Sequence, residues 1–348
     1  MIRPRLALVQ YGLLALLLGT LAILPWIGLP TSWYIPLIFA DFFAMFVMSW
    51  DLLAGYAGQL NLGQAFFIGT AAYTSGLLNI YLHWTPALTI PLGVLAAVGV
   101  GALVGAPAVR LKGPYLALVT LVLPIAATRL VGVYADVTGG NLGKTIHDTV
   151  PQVGRGVPYL DYLMINYYYA LILMALIALF LLAIASSRWG KIFEAIRENE
   201  AAVAAAGINP AKYKILAFML SALVAGLAGA TYVHLPILPI LQAGGPSGVF
   251  SSTLSILIIV AAALGGMGTI TGAIVGAFLL KIGQQVLGEL LGTQFFSSAD
   301  AQRWATLIFL VGLVLFVLFA RRGLVPLLFK LPGLRRWLTP IQGEEGSP

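Results

Sequence analysis

The chain has 348 residues, 60% of them hydrophobic and only 9% charged. A soluble domain carries roughly 25% charged residues, so a water-soluble globule is excluded and a polytopic membrane protein is indicated. The net charge of +7 does not point to nucleic acid, because the basic residues gather at the ends of apolar runs, and with no cysteine there are no disulfides or thiolate metal sites.

Residues 7–27 read as a first span rather than a cleaved signal, being too long and lacking a clear small-residue cleavage site. A turn at Gly28-Leu29-Pro30-Thr31 leads to span two, 33–53, with Asp41 in its interior and Asp51 at its end. The next stretch, Gly55 to Gln64, is uncharged, rich in glycine and studded with the amides Gln59, Asn61 and Gln64 around Gly58. Backbone that free exists at membrane depth only inside protein or beside a water-filled cavity. Two readings stay open: the amides line a solute path, or they satisfy a tight helix break. Spans follow at 65–82 and 87–109, then a sharp turn at Arg110-Leu111-Lys112-Gly113-Pro114, then span five, 115–134, which holds Arg129.

Residues 135–166 form a polar loop, and span six is placed at 167–185. The longest charged interruption is Ser186 to Lys214, which carries five basic residues beside Glu194, Glu198 and Glu200. Ile192, Ile196 and Val203 can share one helical face there, and Gly207 with Asn209-Pro210 reads as a helix stop. Spacing alone leaves a choice between a solvated basic loop and a short amphipathic helix presented to a soluble partner. Span seven, 215–233, has Ala222, Gly226 and Ala230 at four-residue spacing, a surface suited to close helix packing. After the loop 234–252, the apolar run 253–292 is too long for one span at about 1.5 Å per residue. Gly265-Gly266-Met267-Gly268 divides it in two, and a last span is read at 303–320.

Fourteen of the nineteen basic residues lie in four clusters: before span one, after span four, in the central loop and after the last span. Ten spans put all four clusters on one side, which the positive-inside rule makes the cytoplasm, with both termini cytoplasmic. The expected fold is therefore an all-α polytopic membrane domain over residues 1–330, with 331–348 as a frayed cytoplasmic tail.

Several of these stretches together are similar to one family. Arg197-Glu198-Asn199-Glu200-Ala201-Ala202, Gly207-Ile208-Asn209 and Lys212-Tyr213-Lys214 resemble the coupling loop of ABC importer permeases of the branched-chain amino-acid, LivM-like type. Gly55 to Phe67 is similar to the family's glycine-glutamine signature. Arg110 to Ala117, Thr138-Gly139-Gly140 and Leu264 to Gly268 with Gly272 resemble its later motifs in the same order. The resemblance runs over roughly residues 40–285. The chain departs from the family at Asn141 to Lys144 and at Gly244 to Ser247, both in loops on the side where solute would be delivered.

The resemblance implies a type II importer architecture with broken helices and about ten transmembrane helices, in the bacterial plasma (inner) membrane. It implies a paralogous permease partner, two cytoplasmic ATP-binding subunits and a periplasmic or lipid-anchored solute-binding protein. It also implies that residues 197–202 and 207–209 meet the ATPase. No G-x-x-x-x-G-K-[ST] phosphate loop occurs in the sequence, so this chain is expected to bind no cofactor and to use ATP only through its partners. Gly58, Gln59, Asn61, Gln64, Asp41, Gly265 and Gly266 are the candidates for the solute path. No metal site is expected: His83, His147 and His234 read as ordinary loop histidines without ligand spacing. Asp41 and Arg129 fall at similar depth and could pair, and Lys281 and Glu289 are candidates for subunit or pore contacts, or side chains reaching an interface. A rival reading makes the chain an ion-coupled carrier with Asp41 and Asp51 as ligands beside the break. Another makes it an ABC permease for urea, amides or other small solutes.

Overall fold

The computed structural model describes residues 4–111, 113–140, 142–154, 156–237, 240–242 and 248–294, with 304, 307–308, 311–312 and 323–324. Its helices are α1 (Pro4–Ile23), α2 (Tyr34–Asp51), α3 (Gln64–Leu82), α4 (Pro86–Ala108), α5 (Pro114–Val133), the single turn α6 (Ala135–Thr138), α7 (Tyr159–Ser186), α8 (Arg188–Ala205), α9 (Pro210–Val233), α10 (Ser252–Gly265) and α11 (Ile270–Gln294). Among the described residues the sheet consists of β1 (Lys144–Thr145) and β2 (Ile240–Leu241), antiparallel, with Lys144 opposite Leu241. Eight of the helices are long and apolar enough to cross a membrane, and α10 is a shorter apolar helix. The last expected span, 303–320, falls almost wholly outside the described residues, as does the tail.

The bundle is built around α2. Its sequence is apolar on all sides, and every residue from Ala40 to Ala57 is buried. It packs against α7, α9, α10 and α11. A second tight group is α3, α4 and α9, drawn together by small residues. A Cβ on Gly229 would stand 2.5 Å from the Ile68 carbonyl oxygen, and one on Gly101 would stand 2.7 Å from the Cβ of Ala222. The Ala222-Gly226-Ala230 stripe thus serves the close approach its spacing suggests.

Three boundaries differ from expectation. Helix α7 begins at Tyr159, eight residues before span six was placed. Its first two turns carry Asp161 and Asn166, whose polarity made them look like loop, yet an acidic side chain suits a helix N-terminus. Span two does not end at residue 53 but passes into a π-helical turn, Leu52–Tyr56, before the glycine-rich break. Lys212 and Lys214 belong to the first turns of α9 rather than to a loop.

Candidate functional site

The central loop is helical, but α8 is two pieces. Asn199, at φ −156° and ψ 97°, breaks the helix, and its Oδ1 accepts from the Ala202 amide, so it caps the second piece. The stop is a Schellman turn: the Gly207 amide donates to Ala204 and the Ile208 amide to Val203, with Gly207 at φ +81°. Asn209 then caps α9 by accepting from the Ala211 and Lys212 amides. The face turned into the bundle comprises Phe193, Ile196 and Val203. Phe193 takes the place expected for Ile192, which is half-buried. Glu198, Asn199, Ala201 and Ala202 are exposed. Glu200 instead pairs with Lys214 at 2.7 Å, tying the second piece to α9 at a lysine that is 3% exposed.

Arg197 sits just before the break and points the other way. Its Nη1 donates to the Gly55 carbonyl in the π-helical turn after α2. Its Cγ lies 2.8 Å from where a Cβ on Gly58 would be. The same end holds the turn between α10 and α11, where the Gly268 amide donates to Asp51 Oδ1 at 2.7 Å. The structure thus brings together candidates from three distant stretches: the central loop, the break after α2, and the glycine turn at Gly265 and Gly266. Asp51 was legible as a carboxylate at a span end and Gly268 as part of the helix-dividing glycine run, but no sequence signal joined the two.

Beyond Gly58 the chain is held by its own amides. Asn61 Nδ2 donates to Gln64 Oε1 at 2.8 Å, and Asn61 Oδ1 accepts from the Gly63 amide. Gln64 Nε2 donates to the hydroxyls of Ser49 and Ser221, and Trp50 Nε1 donates to the Asn61 carbonyl. Gln59 donates to the Ala57 carbonyl. These amides are buried and engaged by protein, the arrangement that an interrupted helix at membrane depth requires. Asp41 stands apart from them, fully buried in α2 with both carboxylate oxygens unbonded. It does not pair with Arg129, which lies on the exposed side of α5. Lys281 lies over the Phe43 ring at 4.7 Å, and Glu289 accepts from Gln285 on its own helix.

The opposite end of the bundle is also fixed by polar contacts. His234 is not a loop histidine: it is buried, with Nδ1 donating to the Asp148 carbonyl at 2.8 Å and Nε2 facing the Ser75 hydroxyl at 2.9 Å. Asn79 accepts from the amides of His147 and Asp148 and donates to the Asp148 carboxylate. The rings of His83 and His147 meet at 5.4 Å, but no cluster of three metal-ligating side chains occurs among the described residues. Burial pushes the His234 imidazole below its ordinary range, against the opposing pull of Asp148. The unfolded chain therefore binds a proton more readily than the folded one. Stability should be flat above about pH 6.5 and fall as pH drops from there toward the folded value. Melting curves at pH 7.5 and 5 check this, and His234→Gln should flatten the dependence.

One large apolar cavity, of about 910 Å³, opens between α1, α2 and α11, bounded by Leu17, Leu21, Trp33, Phe278 and Ile282. It offers no charged or amide group to a zwitterion.

A bundle of apolar helices long enough to cross a membrane, one of them interrupted and gripped by an amphipathic helix from a charged loop, defines an all-α polytopic membrane protein. The chain belongs to the family described as branched-chain amino acid transport system / permease component, whose model matches residues 36–318. It is similar to the high-affinity branched-chain amino acid transport system permease protein LivM of Escherichia coli and to that of Salmonella typhimurium. Each is 28% identical over an alignment of 300 residues that covers 80% of this chain and 66% of the relative. The aligned region thus spans just under two thirds of those relatives' length. Among solved structures, PsaBC from Streptococcus pneumoniae in complex with Fab aligns with 15% identity and a TM-score of 0.38, covering 87% of this chain and 92% of that one.

Proposed function

We propose that this chain is the permease subunit of an ATP-driven ABC importer and forms half of the translocation path for branched-chain or similar hydrophobic amino acids. It pairs with a paralogous permease, receives solute from a periplasmic or lipid-anchored binding protein, and works with two cytoplasmic ATP-binding subunits, one of which couples to it through residues 186–214. The observation that carries this reading is the two-piece helix α8: its apolar side is anchored in the bundle by Phe193, Ile196 and Val203, while Glu198, Ala201 and Ala202 are left free for a partner. An ion-coupled carrier has no need of such a projecting helix. The carrier's proposed ligands are not assembled either, since Asp41 is isolated and Asp51 is bonded to the α10–α11 turn.

Uptake into vesicles containing the chain with its ATPases, partner permease and binding protein tests this. Leucine accumulation should require ATP and should be indifferent to an imposed ion gradient. Accumulation that follows the gradient in the absence of ATP would refute the proposal in favour of the carrier.

A further inference from the structure

The contact between Arg197 and the end of α2 has a second acceptor close by that it does not use. Asp51 Oδ1 is occupied by the Gly268 amide, and the Thr269 amide also faces the carboxylate. Oδ2, however, is buried and makes no hydrogen bond. Arg197 is within electrostatic reach of that carboxylate, yet the two form no ion pair. Its Nη1 bonds the Gly55 carbonyl instead, 3.1 Å from where a Cβ on Gly268 would sit. The space between them is kept open by missing side chains. A Cβ on Gly55 would fall 2.1 Å from Asp51 Oδ1 and 2.5 Å from the Gly268 nitrogen. Gly58 and Gly268, at φ +68° and +79°, clear the flanks of the arginine.

A guanidinium has five donors in a fixed fork and bonds carboxylates more strongly than carbonyls. A buried carboxylate oxygen left without a partner is correspondingly costly. Arg197 is therefore poised between two acceptors, a carbonyl it uses and a carboxylate whose second oxygen lacks a donor. We propose that Arg197 is the positioning residue that couples the loop helix to the inner ends of α2, α10 and α11. It holds the Gly55 carbonyl in the state described here and transfers to the Asp51 carboxylate as α8 is pressed toward the bundle. The transfer would pull the π-helical turn and the α10–α11 turn together, giving the lever two discrete settings rather than a continuous give. The inference rests on the reading of the 186–214 loop as the ATPase-docking element.

The test uses the complete reconstituted transporter and compares wild type with Arg197→Ala, Arg197→Lys, Asp51→Asn and the Arg197→Ala/Asp51→Asn pair. Asp51→Asn keeps an oxygen for the Gly268 amide, so it removes the charge while sparing the static contact, and unchanged melting temperature confirms that. Retention of the ATPases on purification, ATP hydrolysis and leucine uptake are read separately. Arg197→Ala and Asp51→Asn should each retain the ATPases and lower uptake per ATP at least about tenfold, the scale of one charged hydrogen bond. The pair should be no worse than either single change, because both remove the same transfer. Arg197→Lys, with the charge but not the fork, should fall between wild type and alanine. Losses that multiply in the pair, loss of the ATPases in Arg197→Ala, or unaltered uptake would each overturn the transfer. A wild-type complex that retains no ATPases is a separate failure, of the docking reading itself, and removes the footing of the proposal.

Discussion

Replacing Gly265 with valine is expected to remove most of the folded protein from the membrane, with the surviving fraction melting well below wild type. A Cβ at that position would lie 1.7 Å from the Gly272 carbonyl oxygen and 3.0 Å from the Gly276 nitrogen, so α10 and α11 touch backbone to backbone. Ordinary contact begins at about 3.5 Å, so the two helices would have to separate by roughly 2 Å. Overpacking a core typically costs about 1–3 kcal/mol, and here the obstructing atom is backbone rather than the end of a flexible side chain, so the upper end or beyond is expected. No shift of α11 is easy, because it also packs against α2. Gly276→Val should behave similarly, since its Cβ would meet the Ala261 oxygen at 2.0 Å. Gly99→Ala is the control: nothing lies within 4 Å of its missing Cβ, and in a helix interior alanine is worth up to about 1 kcal/mol over glycine. Fluorescence-detected chromatography in detergent and thermal melting read all three. A Gly265 variant that accumulates and melts like wild type would mean that the helices do not approach as closely as described.

The parts of this molecule that could be read from residue order are those governed by local rules. Ile196 and Val203 on the buried face of α8, the glycine stop at Gly207, the break at Gly265 to Gly268 and the small-residue stripe of α9 all follow from spacing along a helix or from one residue's backbone freedom, whereas Phe193 replaces the expected Ile192 because Asn199 splits α8 in two. Pairing across the bundle did not follow from such rules. Asp41 and Arg129 were matched by depth, but depth along two helices says nothing of which way each side chain faces, and the arginine lies on the outside of α5. His234 looked like loop because it lies one residue beyond α9, and its burial depends on Ser75 and Asp148 arriving from two other segments. The amides of the Gln59 to Gln64 stretch were legible as unusual, yet whether they face solute or each other depends on Ser49 and Ser221 being opposite Gln64. Asp51 and Gly268 are 217 residues apart, and no periodicity relates them.

Exchanging Glu200 for glutamine and Gly207 for alanine together is expected to leave membrane insertion and ATP hydrolysis in place while cutting uptake per ATP by roughly 30- to 140-fold. Both changes fall beyond Asn199, Glu200 on the second piece of α8 and Gly207 in the turn that closes it, and neither residue is itself part of a spanning helix. Glu200 is the carboxylate that neutralises Lys214, a lysine only 3% exposed at the start of α9. Allowing for the exposure of Glu200 itself, about 1 kcal/mol of attachment is lost with it. Gly207 closes the Schellman turn at φ +81°, and although a Cβ there would meet nothing, the left-handed backbone alone costs a substituted residue about 1–2 kcal/mol. Together about 2–3 kcal/mol is enough to shift the second piece from docked to mostly undocked. The first piece stays fixed by Phe193 and Ile196, so on the proposed docking an ATPase would retain a surface to hold while the joint to α9 slips. The fold-loss of the pair should come close to the product of the two single losses, because Glu200 acts through Lys214 and Gly207 through its own backbone. Normal uptake by the double variant would show that force does not pass through this loop into α9, and the docking role assigned to residues 186–214 would have to be abandoned.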